Sequence, residues 1–156
     1  AGETRAAESI WQAVYTLNAE RIGHGLKLKD NQKLLQHFLD RGISVEMCPS
    51  SNFQIVGFKD NYYPEISHND VYPLKNYLDQ GLKVFVNTDN PGISRTGATK
   101  ELMRAARLTP GGLSRMDILN LIKNGFRASF AGYNLRRSLL LSAEKQVLDI
   151  LRQEPG

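Results

Sequence analysis

Apolar positions along the chain follow two spacings in turn, one helical and one extended. Within residues 4–17, Ile10, Ala13, Val14 and Leu17 recur on one helical face and predict a helix. A strand is predicted at about 20–23. Leu34, Leu35, Phe38 and Leu39 then form a buried helical stripe, with Asp30 placed to cap the helix and Gly42 to stop it. A second strand spans about 43–47. Residues 52–70, with Gly57, Tyr62, Tyr63 and Pro64, predict a long irregular segment, a type that is usually functional or mobile. Val71-Tyr72-Pro73 opens a helix that faces inward through Leu74, Tyr77 and Leu78 and ends at Gly81. Leu82-Lys83-Val84-Phe85-Val86 reads as a strand buried on both faces, as in a parallel sheet. A loop from Pro91 to Gly97 leads into a helix near 99–108. After the break at Thr109-Pro110-Gly111-Gly112, Ser114-x-x-Asp117 starts a capping-box helix bearing Ile118, Leu121, Ile122 and Phe126. From about 134, Leu139, Leu140, Leu141, Val147, Leu148 and Leu151 predict one or two more helices. Helix and strand therefore alternate three times and then only helices follow, which predicts an α/β fold with a parallel sheet. No linker or low-complexity run divides the chain, so residues 1–156 read as one domain.

Composition narrows this picture. The 156 residues can enclose a core but fall short of the roughly 250 typical of a complete (β/α)8 barrel. The 41% hydrophobic content is that of an ordinary globular domain, and no apolar run approaches the ~18 residues of a membrane span. With no charged-then-apolar leader, the expectation is no secretory signal, no membrane partner and a cytoplasmic setting. The chain opens Ala1-Gly2-Glu3 rather than with Met, which reads as processing, cloning or a piece of a longer protein. The single cysteine, Cys48, excludes an internal disulfide and reads as a small buried residue. Net charge is +4, and the excess is C-terminal: residues 1–98 hold ten Lys/Arg against eleven acids, residues 99–156 ten against five. These cations lie at helix-surface spacing without interleaved aromatics, so they read as a solvated face rather than a nucleic-acid surface.

The candidate chemistry collects at strand ends. Arg21-Ile22-Gly23 leads into His24-Gly25. The strand at 43–47 leads into Cys48-Pro49-Ser50-Ser51-Asn52, and the strand at 82–86 into Asn87-Thr88-Asp89-Asn90. Parallel α/β folds keep their active sites at the C-terminal ends of the strands, so three such motifs predict one rim.

In order and spacing, Ala1-Gly2-Glu3, Ile22-Gly23-His24-Gly25, Cys48-Pro49-Ser50-Ser51-Asn52 and Asn87-Thr88-Asp89-Asn90-Pro91 resemble the adenosine deaminase family. The resemblance covers residue 1 to about 130 and corresponds to the C-terminal half of those zinc-dependent (β/α)8 hydrolases. It implies a partial barrel and hydrolytic deamination of adenosine to inosine and ammonia. By that resemblance Asp89 is a zinc ligand, and His24 receives or orients a proton of the attacking water. Glu3 protonates the purine ring nitrogen. Asn90 stands where the family more often has an aspartate that binds the purine, and its amide can donate to an imidazole nitrogen. Ser50, Ser51 and Asn52 shape the pocket loop. His37 and His68 read as structural. The family's remaining zinc ligands, a His-x-His pair and a histidine directly before Ala-Gly-Glu, have no counterpart among the three histidines here. The implied consequences are weak zinc binding and no turnover by this chain alone. Exposed barrel edges imply pairing with the missing N-terminal half or with a second copy. A related aminopurine deaminase, acting on adenine or a modified adenosine, and a non-catalytic half-barrel scaffold are the alternatives.

Overall fold

The computed structural model describes residues 1–4, 6–63 and 70–153. Helix α1 (Glu8–Tyr15) buries Ile10 and Val14. It is shorter than its apolar spacing predicts: the chain leaves the helix at Thr16, and Leu17 beyond it is exposed. Strand β1 (Arg21–Gly23) follows, then a single 3-10 segment over Leu26–Asp30. The cap of α2 (Gln32–Arg41) is Asn31, not Asp30: the Asn31 side-chain oxygen accepts from Leu34 N at 3.0 Å. Asp30 is displaced from that role because the 3-10 segment ends on it. Leu34, Leu35 and Phe38 of α2 are buried as predicted, with Leu39 packed against them, and Phe38 alone contributes about 2–3 kcal/mol.

Strand β2 (Ser44–Met47) leads directly into α3 (Pro49–Ile55). The predicted irregular segment therefore begins later than 52. Pro49 at the first helical turn is compatible with helix, because its missing N–H has no intrahelical partner there. His68 lies outside the described residues. Next come α4 (Leu74–Asp79) and β3 (Val84–Val86). The predicted Pro91–Gly97 loop contains a one-turn helix, α5 (Pro91–Ser94), before α6 (Ala98–Leu108). The predicted capping box opens α7 (Arg115–Ala128), with Ser114 and Asp117 bonded reciprocally. The C-terminal region is one helix, α8 (Tyr133–Gln153), and none of its residues is buried.

The three strands are parallel in the order β1-β2-β3. Ile22 aligns with Val45, and Val45 with Val84. Those three side chains and Met47 are buried in one core with Leu28, Leu34, Phe38, Leu74 and Tyr77. Helix α7 packs along β3, where Asn124 donates to Val84 O at 2.9 Å. Arg21 ties β1 to the end of α7 by donating to Ala128 O at 3.0 Å and lying over the Phe130 ring. The register brings the C-terminal ends of all three strands to one edge, which carries the chemistry.

Candidate active site

Residues 1–3 run beside the end of β1. Gly25 N donates to Ala1 O and Lys27 N to Gly2 O, each at 3.0 Å, which delivers the Glu3 side chain to the strand-end rim. His24, the first residue after β1, donates its backbone N–H to Glu46 O at 2.8 Å. Its φ of 68° is left-handed, a conformation that costs a non-glycine residue about 1–2 kcal/mol. In this geometry the His24 ring meets Glu3: Nδ1 lies 3.2 Å from Oε1, with both side chains about one-fifth exposed.

Asn52, in the first turns of α3, completes the group and is fully buried. Its amide nitrogen donates to Glu3 Oε1 at 3.0 Å and lies 2.9 Å from His24 Nδ1. Its oxygen accepts from Cys48 N at 3.2 Å and from the Tyr72 hydroxyl at 2.9 Å. Helix α3 is itself fixed from behind, where Ser50 N donates to the buried Glu101 carboxylate at 2.9 Å.

Asp89 lies three residues beyond β3 and is exposed, also with a left-handed φ (56°). It makes no hydrogen bond or ion pair with Glu3, His24 or Asn52. Its charge reaches the rim nonetheless. Burial first, then the charges of Glu46, Asp89, Glu101 and Glu3, push the Cys48 thiol up to about 12. That keeps Cys48 a neutral thiol and removes it as a nucleophile. Asn90 uses its side-chain oxygen to cap α5, accepting from Ile93 N at 3.1 Å. Its amide nitrogen has no partner among the described residues. His37 lies away from the rim, its ring 4.7 Å from that of Tyr15.

The structure thus brings Glu3 and His24 into contact and sets Asp89 and Asn90 further along the same edge. Three participants escaped sequence reasoning. Asn52 was legible only as part of a loop motif, Tyr72 only as a residue before a helix-opening proline, and Glu101 only as a first-turn acid of the kind the helix dipole favours. Among the described residues, no group of three or more His, Cys, Asp and Glu side chains is placed to hold a metal ion. Asp89 offers a carboxylate, and the described residues alone do not gather the further ligands that a zinc site needs.

A parallel α/β sheet with its polar residues gathered at the C-terminal strand ends has the layout in which α/β barrels and open α/β sheets keep their sites. The adenosine deaminase family model matches residues 1–146, and the chain belongs to that family. It is 36% identical over 139 residues to an adenosine deaminase of Shewanella denitrificans, covering 89% of this chain and 39% of that protein. It is 37% identical over 130 residues to an aminodeoxyfutalosine deaminase of Streptomyces coelicolor, covering 83% of this chain and 31% of that protein. The solved adenine deaminase of Arthrobacter aurescens matches with a TM-score of 0.78 at 25% identity, covering 94% of this chain and 42% of that one. The chain therefore spans about two-fifths or less of the length of these relatives, and its three strands with their helices are part of a (β/α)8 barrel.

Proposed function

We propose that this chain is the C-terminal part of a hydrolytic aminopurine deaminase whose substrate is adenosine, converted to inosine and ammonia. The observation that carries the reading is the contact of Glu3 with His24 at a strand-end rim that also bears Asp89. Hydrolytic deamination needs one group to receive or orient a proton of the attacking water and another to give one to the ring nitrogen. An imidazole and a carboxyl group in contact meet that requirement, with His24 facing the water and Glu3 the purine. Asn90 would bind the base through its free amide nitrogen. Asp89 would give one oxygen ligand to zinc, whose other ligands would come from outside this chain, and the isolated chain would show no turnover.

The test is ammonia release from adenosine, adenine and AMP by the longer polypeptide of family length, supplied with zinc. Turnover of adenosine supports the reading; no turnover of any of the three overturns it. A second reading, a deaminase of adenine or of a modified adenosine, is favoured by Asn90 and by relatives named for different aminopurines. Preference for adenine over adenosine in the same assay would select it.

The partner of the isolated chain would be the remainder of the barrel or a second copy. Leu135, Leu141, Leu148 and Ile150 of α8 are more than half exposed, and apolar surface of this kind favours association. Light scattering at micromolar concentration should show self-association, and a clean monomer would contradict it.

A further inference from the structure

Resting on the proposed function, we infer that Asn52 is the positioning residue of this site, holding Glu3 and His24 in contact and keeping Nδ1 of the imidazole an acceptor. The orientation of the Asn52 amide is dictated by its surroundings. Cys48 N–H can only donate, so the amide atom 3.2 Å from it is the oxygen, and the Tyr72 hydroxyl completes that oxygen's second bond. The two hydrogens on the nitrogen are then aimed at Glu3 Oε1 and His24 Nδ1, at 3.0 and 2.9 Å. Every hydrogen-bonding position of a fully buried amide is engaged, two on the fold and two on the site.

Glu3 Oε1, His24 Nδ1 and Asn52 Nδ2 form a triangle with sides of 3.2, 3.0 and 2.9 Å. The amide nitrogen only donates, so Nδ1 accepts from it and the neutral imidazole carries its proton on Nε2. Glu3 Oε1 is likewise taken up by the amide, which leaves Oε2 as the carboxyl oxygen able to carry a proton for the ring nitrogen. The amide thus fixes both the contact between the two groups and the atom of each that is left for the reaction.

The discriminating variant is Asn52→Asp, which keeps an oxygen for Cys48 N and Tyr72 but replaces both site-facing N–H groups with a second oxygen. In the longer polypeptide, kcat should fall about 100-fold with KM within about threefold, the loss expected when reacting groups are misplaced. In the 156-residue chain, the ¹⁵N resonances of the His24 imidazole should move toward the imidazolium position. Slow labelling of Cys48 would report that the fold is retained. A kcat within threefold of the unsubstituted protein, or unchanged His24 resonances, would overturn the inference. If Asn52→Asp fails to fold, Tyr72→Phe decides: loss of one of the two bonds that orient the amide should lower kcat about tenfold, and an unchanged kcat overturns it. If the unsubstituted longer protein deaminates nothing, the proposed function fails, and the His24 resonances still decide the positioning role.

Discussion

Replacing Gly25 with alanine probes how the core and the rim are joined. A Cβ at this position would sit 2.7 Å from Val45 Cγ1, in the middle of the central strand, and the backbone φ is +60°. Two costs add. The left-handed backbone costs an L-residue about 1 kcal/mol, and forcing a methyl into a packed core costs about 1–3 kcal/mol, about 3 kcal/mol in all. With a urea m-value of about 2 kcal/mol/M, the midpoint should fall by about 1.5 M. Repeating the substitution in a Val45→Ala background separates the terms. Removing Cγ1 relieves the contact but not the φ, so the second cost should be only about 1 kcal/mol, a coupling of about 2 kcal/mol. Gly23, two residues earlier, has no left-handed φ, and a Cβ there would meet nothing within 4 Å. Gly23→Ala should therefore stay within about 0.5 kcal/mol of the parent. Equal costs for Gly25→Ala in the two backgrounds, or a Gly23→Ala cost as large as that of Gly25→Ala, would refute the reasoning.

Arg107→Ala should cost about 3 kcal/mol in urea unfolding, because it leaves the fully buried Asp60 carboxylate without the guanidinium 2.7 Å away. Arg107→Lys should recover little of that, since only the planar guanidinium can also lie against both Tyr62 and Tyr63; full recovery would refute the role of shape. Alkaline pH should destabilise the fold. The folded state holds the Cys48 proton up to about 12 while the unfolded thiol ionises near 9.0, so this contribution is complete below pH 9 and is lost between those values. At ~1.4 kcal/mol per pKa unit the effect is on the order of 4 kcal/mol, and Cys48→Ala should flatten the fall in urea midpoint between pH 9 and 11. The buried Tyr72 and Tyr77 hydroxyls, also held above their ordinary value, would account for the slope that persists. An identical slope in the variant would remove Cys48 from the explanation.

The strands and the long helices were legible because their causes are local. Burial of one face imposes a period, as in α2, and caps and stops are short motifs, as in the Ser114–Asp117 box. Errors fell where two local signals competed. Asp30 and Asn31 are both good caps, and only the extended backbone of Asn31 puts its oxygen in reach of Leu34 N. Pro49 ends the sequence pattern of a strand and equally begins a helix, and packing of α3 against α6 decides for the helix. Spacing alone also placed Leu17 on a buried face, although no turn of helix extends to it. The strand-end motifs were readable as a rim, but its wiring was not. The Asn52 bonds to Tyr72 and Glu3 span 20 and 49 residues, and nothing in the local sequence encodes partners at such separations.

His24 and Asp89 share a further property that bears on why these residue types stand where they do. Both hold a left-handed backbone just after a strand, where glycine would fold at lower cost. His24 recovers part of that cost through Glu3 and Asn52, whereas Asp89 is exposed and forms no hydrogen bond with either. Asp89→Gly should therefore stabilise the chain, by about 0.5–1 kcal/mol, seen as a small rise in the urea midpoint. Arg95→Gly, at the left-handed cap that ends α5, provides the comparison at a position away from the strand ends. Destabilisation by more than about 0.5 kcal/mol in Asp89→Gly would assign its carboxylate a structural role. Stabilisation would mean that a carboxylate is kept at a strand end against the interest of folding, and such residues are retained for what their side chains do. That outcome would support Asp89 as a ligand donor in the complete enzyme, and the longer Asp89→Gly polypeptide should then lose affinity for zinc.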